Sequence, residues 1–236
     1  MKNYFSKILF SFVFSVLVLQ APAAFAQNWE IELGAGFDIQ KGVFTAPCAC
    51  QYSDGSGYAI RAAVAYDYFS SDGLLFGMKP GVDYKQFASA HTYISPDREL
   101  NLRDSANISQ TYLTVDPFVR YTFTGTDLFV QAAPSFAYVI GSHFYQHKTY
   151  LNGSRWGDGK ADSTWEDGPL ENSFKTRIAA RVSAGYRFAL FGAYVAPTVT
   201  ADLPLSELGS ADATNTRTSY WAITTIYCSL GVFFKI

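Results

Sequence analysis

The sequence predicts an all-β fold: a closed, antiparallel, up-and-down transmembrane β-barrel of about eight strands, following a cleaved signal peptide. Three observations predict it. After residue 27 the hydrophobicity alternates with period two, the mark of strands whose two faces meet different surroundings. The apolar rows are about ten residues long and carry no full charge along their centres, which fits a tilted strand crossing a bilayer. Short turns and long polar connections also alternate along the chain.

The N-terminus reads as an export signal. Lys2 and Lys7 supply positive charge, Ile8 to Leu19 form an apolar run, and Ala24-Phe25-Ala26 is a small-x-small cleavage site. The run is short of the ~20 residues of a spanning helix. Residues 1–26 are therefore expected to be removed, leaving 27–236 as one barrel domain.

Eight strands follow. The first, 28–45, sets Trp29, Ile31, Leu33, Ala35, Phe37 and Ile39 against Glu30, Glu32 and Asp38. The second, 57–69, sets Tyr58, Ile60, Ala62, Val64, Tyr66 and Tyr68 against Arg61 and Asp67. The third, 74–88, sets Leu74, Phe76, Met78, Pro80, Val82 and Tyr84 against Lys79, Asp83 and Lys85. The fourth, 109–123, carries Leu113, Val115, Pro117, Val119, Tyr121 and Phe123 against Asp116 and Arg120. The fifth, 128–145, runs from Leu128 to Ile140 on its apolar face. The sixth, 173–188, opposes Ile178, Ala180, Val182, Ala184 and Tyr186 to Lys175, Arg177, Arg181 and Arg187. The seventh, 191–203, carries Phe191, Val195, Pro197 and Val199. The eighth, 219–236, carries Ile226, Cys228, Leu230, Val232 and Phe234 against Tyr227, Ser229, Gly231, Phe233 and Lys235.

Ser70-Ser71-Asp72-Gly73, Thr124-Gly125-Thr126-Asp127 and the junction near Ala189-Leu190 are expected to be tight turns. Segments 46–57, 89–108, 146–172 and 204–218 are expected to be long loops. That order places both termini on the short-turn, periplasmic side. Pro80, Pro117, Pro134 and Pro197 fall mid-strand, where proline cannot donate to the ladder, and predict bulges.

A soluble lipocalin-like barrel would share the alternation. The composition favours lipid outside. Aromatic residues make up 17% and charged residues 16%, and Trp29, Tyr58, Tyr66, Tyr68, Tyr84, Phe123, Tyr138 and Phe188 fall toward strand ends like an interfacial girdle. Gly34, Gly36, Gly77, Gly81 and Gly231 on the polar face suit a crowded lumen. The net charge of −2 excludes a basic nucleic-acid footprint.

In its signal peptide, its Pro-bearing strands such as Leu128-Phe129-Val130-Gln131-Ala132-Ala133-Pro134, and its final strand Leu230-Gly231-Val232-Phe233-Phe234-Lys235-Ile236, the chain resembles the bacterial outer-membrane β-barrel family, small OmpA/OmpX or PorT-like type. The resemblance spans 27–236. It implies the outer-membrane lipid bilayer as surroundings and the barrel-assembly machinery as a partner during biogenesis. Members end on an aromatic residue, whereas this chain ends on Ile236 with Phe234 two before it.

The inward face is expected to hold a charge network: Glu30, Glu32, Asp38, Arg61, Asp67, Lys79, Asp83, Lys85, Asp116, Arg120, Arg177, Arg181 and Arg187, with Lys175 and Lys235. Eight strands leave room only for side chains, so the expected lumen is plugged. Tyr150, Trp156 and Trp165 are candidate loop contacts for an unknown surface partner. No cofactor or metal site is expected. Cys48 and Cys50 read as free thiols or a local disulfide, and Cys228 as a small apolar residue. The chain is read as non-enzymatic. The lesser alternatives are a lipid hydrolase or acyltransferase drawing on Ser142, His143, His147 and Glu166 or Asp167, and a helper in a secretion or envelope complex.

Overall fold

The computed structural model describes residues 28–45, 51–94, 101–151, 162–168, 175–190, 193–206 and 220–235. The export signal, Cys48, Cys50 and Trp156 lie outside them.

All regular elements among the described residues are strands: β1 (Asn28–Thr45), β2 (Gln51–Ser71), β3 (Leu74–Ile94), β4 (Asn101–Thr122), β5 (Leu128–Tyr150), β6 (Asp162–Gly168), β7 (Thr176–Tyr186), β8 (Phe188–Leu190), β9 (Ala193–Pro204) and β10 (Tyr220–Lys235). Eight of them close a ring in the order β1-β2-β3-β4-β5-β7-β9-β10. Every pairing is antiparallel, and β10 pairs with both β9 and β1. The short β8 forms a hairpin with the start of β9. β6 pairs only with the upper part of β5, from Phe144↔Gly168 to Thr149↔Asp162, above the point where β7 joins that strand.

Closure follows from the alternation. Apolar rows point out and polar rows point in, so Leu33 is 62% exposed while its neighbour Glu32 is buried. This is the reverse of a soluble barrel with an apolar pocket. On β1 the outward row from Trp29 to Ile39 ends at the exposed Lys41. Those ten steps span about 33 Å of strand. At the tilt of a closed barrel they give a band about 25 Å tall, the height of a membrane-spanning apolar belt. At the turn end, aromatic pairs line the belt: Trp29–Tyr66 at 5.4 Å, Tyr121–Phe123 at 5.2 Å and Tyr186–Phe188 at 4.7 Å between ring centres. Cys228 is exposed on the same outer face.

The hairpin at the foot of β2 and β3 turns on Asp72 and Gly73, with φ of 48° and 81°. Both central residues take left-handed angles, the conformation that an Asp-Gly hairpin favours. Ala189 and Leu190, expected near a tight turn, pair in β8 with Tyr194 and Ala193 of β9. Asn28 pairs with Lys235, so β1 begins and β10 ends at this same end of the barrel.

Two expectations are corrected. Much of the supposed long loops is strand. Residues 89–94 and 101–108 stay paired from Ser89↔Ala106 to Ile94↔Asn101, and β5 runs on to Tyr150. Above the apolar belt the outward face turns polar, so the two-fold contrast fades while the backbone ladder continues.

The mid-strand prolines do not make bulges. Pro117 and Pro134 lie opposite one another, and the ladder pauses between Val115↔Phe136 and Val119↔Ala132 with no change of register. Neither proline brings an N–H, so a bond is lost but no residue is inserted. The register shifts fall elsewhere, at Gln40/Val43, Asp67/Phe69, Thr111/Tyr112 and Gln146/His147.

Candidate functional site

The inward residues form tiers. Nearest the turn end, the Arg120 guanidinium lies over the rings of Phe129, Phe233 and Phe118, at 4.7, 5.0 and 5.3 Å from their centres. Its Nε and Nη2 donate to Gln131 Oε1 at 3.0 and 2.8 Å, and Nη2 also donates to Glu30. Lys79 donates to Glu32 and lies 3.8 Å from Glu30. The planar, weakly hydrated head of arginine suits such an aromatic cage, with its N–H edge kept for acceptors.

The middle tier crosses the barrel. Arg61 on β2 reaches Asp116 at 2.5 Å, Asp83 at 3.2 Å and Glu32 at 3.5 Å. Arg181 on β7 reaches the same Asp116 at 2.5 Å, pairs with Asp83, and meets Asp202 at 3.1 Å. Two arginines from opposite walls thus share two carboxylates.

Asp202 on β9 anchors the next tier. It accepts from Arg177 at 2.7 Å and Arg181 at 3.1 and 3.2 Å, and Lys85 lies 3.4 Å away. Lys85 also meets Asp38 at 3.7 Å and Thr225, and sits over the Tyr227 ring at 5.4 Å. Among the described residues, the acids Glu30, Glu32, Asp38, Asp83, Asp116 and Asp202 thus pair with the bases Arg61, Lys79, Lys85, Arg120, Arg177 and Arg181, and Asp67 is buried on the same inward side. Burying an unpaired charge costs several kcal/mol, so this pairing is what allows such a core.

Above the charges, the inward row becomes apolar. Phe87, Ile108 and Phe144 are buried cross-strand neighbours on β3, β4 and β5. Higher still, Asp104 accepts from Gln146 at 3.0 Å and pairs with Lys148 at 3.7 Å.

Of the expected network residues, the structure buries Glu30, Glu32, Asp38, Arg61, Asp67, Lys79, Asp83, Lys85, Asp116, Arg120, Arg177 and Arg181. Arg187 is a correction: it is half-buried at the rim, where β7 gives way to β8, and donates to Thr122 Oγ1 at 3.0 Å. Lys175 is another, since it is exposed just before β7 begins. The Lys235 side chain lies outside the described residues. Asp202 was missed, although Thr198-x-Thr200-x-Asp202 continues the polar row of its strand.

On the outer face, His143 and Asp167 come together: Nε2 lies 2.8 Å from Oδ1, with the side chains 54% and 59% exposed. Ser142 does not join them. It lies across from the buried Gln110 on the inward row, whereas His143 lies across from Ser109 on the outward row. His147 stacks on Tyr145, with ring centres 6.2 Å apart. Glu166 pairs by backbone with Gln146. Tyr150 is half-buried at the end of β5, and Trp165 lies on β6 with its side chain outside the described residues. No group of three or more His, Cys, Asp or Glu among the described residues is placed to hold a metal ion.

Comparison with known proteins finds no matching family model and no matching curated relative. Solved bacterial outer-membrane barrels are similar in fold. Surface protein A of Neisseria is 13% identical with a TM-score of 0.36, covering 88% of this chain and 97% of that one. The Escherichia coli outer-membrane protease OmpT is 10% identical with a TM-score of 0.42, covering 89% and 96%. Pseudomonas aeruginosa OprG is 10% identical with a TM-score of 0.40, covering 89% and 97%. Nothing about function follows from likeness at this level.

Proposed function

We infer that this protein is an outer-membrane barrel of a Gram-negative cell with a closed lumen, serving a structural or partner-binding role through the strands and connections above its apolar belt. The observation that supports the reading is the buried ion-pair network inside the barrel, joined across opposite walls by Arg61 and Arg181 and followed above by the buried Phe87, Ile108 and Phe144. An eight-stranded barrel leaves room for side chains and little else. The apolar outer belt supports membrane residence, and the export signal with Ala24-Phe25-Ala26 supports passage across the inner membrane. Both chain ends would then lie on the periplasmic side with the short turns.

The upper, outer side is the side for partners. There β3, β4, β5 and β6 continue as paired strands beyond the belt. Tyr150 and Trp165 belong to this region and, with Trp156, which lies outside the described residues, are the contact residues proposed for a surface partner.

Conductance tests the closed lumen. The purified, refolded chain in a planar bilayer should show no steady channel. A stable, ohmic conductance that persists at both polarities would overturn it.

A further inference from the structure

We propose that the outer face carries a serine esterase site, Ser109–His143–Asp167, which hydrolyses an acyl ester of a membrane lipid. The proposal goes beyond the closed-barrel reading but takes its membrane orientation from it.

Four neighbouring strands present one polar row at the upper edge of the belt. Gln86 on β3 is the cross-strand partner of Ser109 on β4, and Ser109 is the cross-strand partner of His143 on β5. Same-face partners hold their Cβ atoms roughly 4.5–5.5 Å apart, which puts a serine hydroxyl within reach of an imidazole. On the far side of His143, Asp167 from β6 holds Nε2 at 2.8 Å. Asp167 thereby fixes the tautomer with the proton on Nε2 and leaves Nδ1, the ring nitrogen nearer the backbone, as the base. A nucleophile, a base and a group that orients the base are the three parts such chemistry needs.

A fourth part is present. The hydroxyls of Tyr58 and Tyr84 both donate to Gln86 Oε1, at 2.8 and 2.9 Å. With its oxygen held by two donors, the amide has its Nε2 hydrogens left to donate. They sit on the strand next to Ser109, where negative charge would develop on a carbonyl oxygen.

The level of this row selects the substrate. On β5 the outward face passes from the exposed Tyr138 and Ile140 to His143, and on β4 from Val115 and Leu113 to Ser109. A lipid lying against the belt would bring its acyl ester, at the junction of chain and headgroup, to this height. The Ser109 Oγ adds to the ester carbonyl carbon as its proton passes to His143 Nδ1. The tetrahedral adduct collapses, the carbon–alkoxy bond breaks, and the imidazolium returns its proton to the leaving alcohol. Water, deprotonated by His143, then cleaves the acyl-serine to give a free fatty acid and restore the hydroxyl. The net reaction is ester plus water to acid plus alcohol.

The test uses the full mature chain, refolded and checked by heat-modifiable migration. In detergent, a fluorophosphonate probe should label it covalently, and S109A should abolish the label. This step needs no membrane orientation, so its failure is distinct from failure of the barrel reading. In vesicles, fatty acid should be released from phosphatidylethanolamine, from an acylated glucosamine lipid, or from both, and the arm that responds identifies the source. H143A should lower the rate by about 10²–10⁴-fold. H147A should leave it unchanged. D167N should lower it and D167E should restore it, since Asp167 is a positioning residue. Folded protein that takes no label and releases no fatty acid in either arm would overturn the proposal. So would S109A that labels like the parent chain.

Discussion

Asp202 offers the sharpest test of the interior. The substitution D202N keeps the side-chain volume and removes one charge. Its consequences can be worked out cation by cation. Arg181 keeps Asp83 and Asp116, the latter at 2.5 Å. Lys85 keeps Asp38 at 3.7 Å and Thr225. Among the described residues Arg177 pairs with no other carboxylate and is left with the Ile223 carbonyl at 2.9 Å. One buried cation is therefore left without its counter-charge, rather than three. Removing one member of a buried pair costs about 3–5 kcal/mol. With a urea slope of about 2 kcal/mol per molar, the unfolding midpoint in lipid vesicles should fall by roughly 1.5–2.5 M. The double variant D202N/R177M removes the orphan as well. It should recover part of that loss, with a coupling of about 1–3 kcal/mol. The assay is urea titration followed by the heat-modifiable gel shift. A midpoint change below about 0.3 M for D202N, or a double variant weaker than the single by the full cost of R177M, would refute the reasoning.

Three further outcomes follow from the same geometry. L33R, placed at the most exposed apolar position of β1, should cost about 2–4 kcal/mol in vesicles, while L33A costs far less, measured by the same titration. G57A should leave little folded barrel on a gel, because its Cβ would lie 1.7 Å from the Gln86 carbonyl oxygen, whereas G168A, with nothing within 4 Å, should fold like the parent. R120K should lose more than about 1 kcal/mol of unfolding free energy, since lysine cannot keep both the Gln131 and Glu30 bonds and the aromatic stack.

The barrel itself was legible because lipid and lumen impose opposite demands on successive residues. Wherever both act, as from Trp29 to Ile39 or Leu128 to Ile140, the alternation marks the strand and its facing. The reading failed where one demand is absent. Residues 89–94 and 101–108 have no lipid-facing apolar row, so their pairing left no periodic trace. Arg187 continues the inward row of β7, yet a break in the strand turns it to the rim. Pro117 and Pro134 each looked like a bulge because their mutual alignment across two strands cannot be seen in either strand alone. The partners within the lumen were equally hidden. Arg61 and Asp116 are 55 residues apart, and only barrel closure with its register brings them to 2.5 Å. The meeting of His143 with Asp167 depends on β6 folding back along β5, which the sequence does not announce.

The central claim is that this barrel is lined with charge and faced with lipid. It is tested most directly by spin labels placed singly along β5 in vesicles, at 130, 132, 136 and 138. The account predicts high collision rates with membrane-dissolved oxygen and low rates with a water-soluble nickel complex at all four positions, with the oxygen effect largest near 132–136. Labels that meet the nickel complex freely, with no depth profile, would place that face in water and contradict the account.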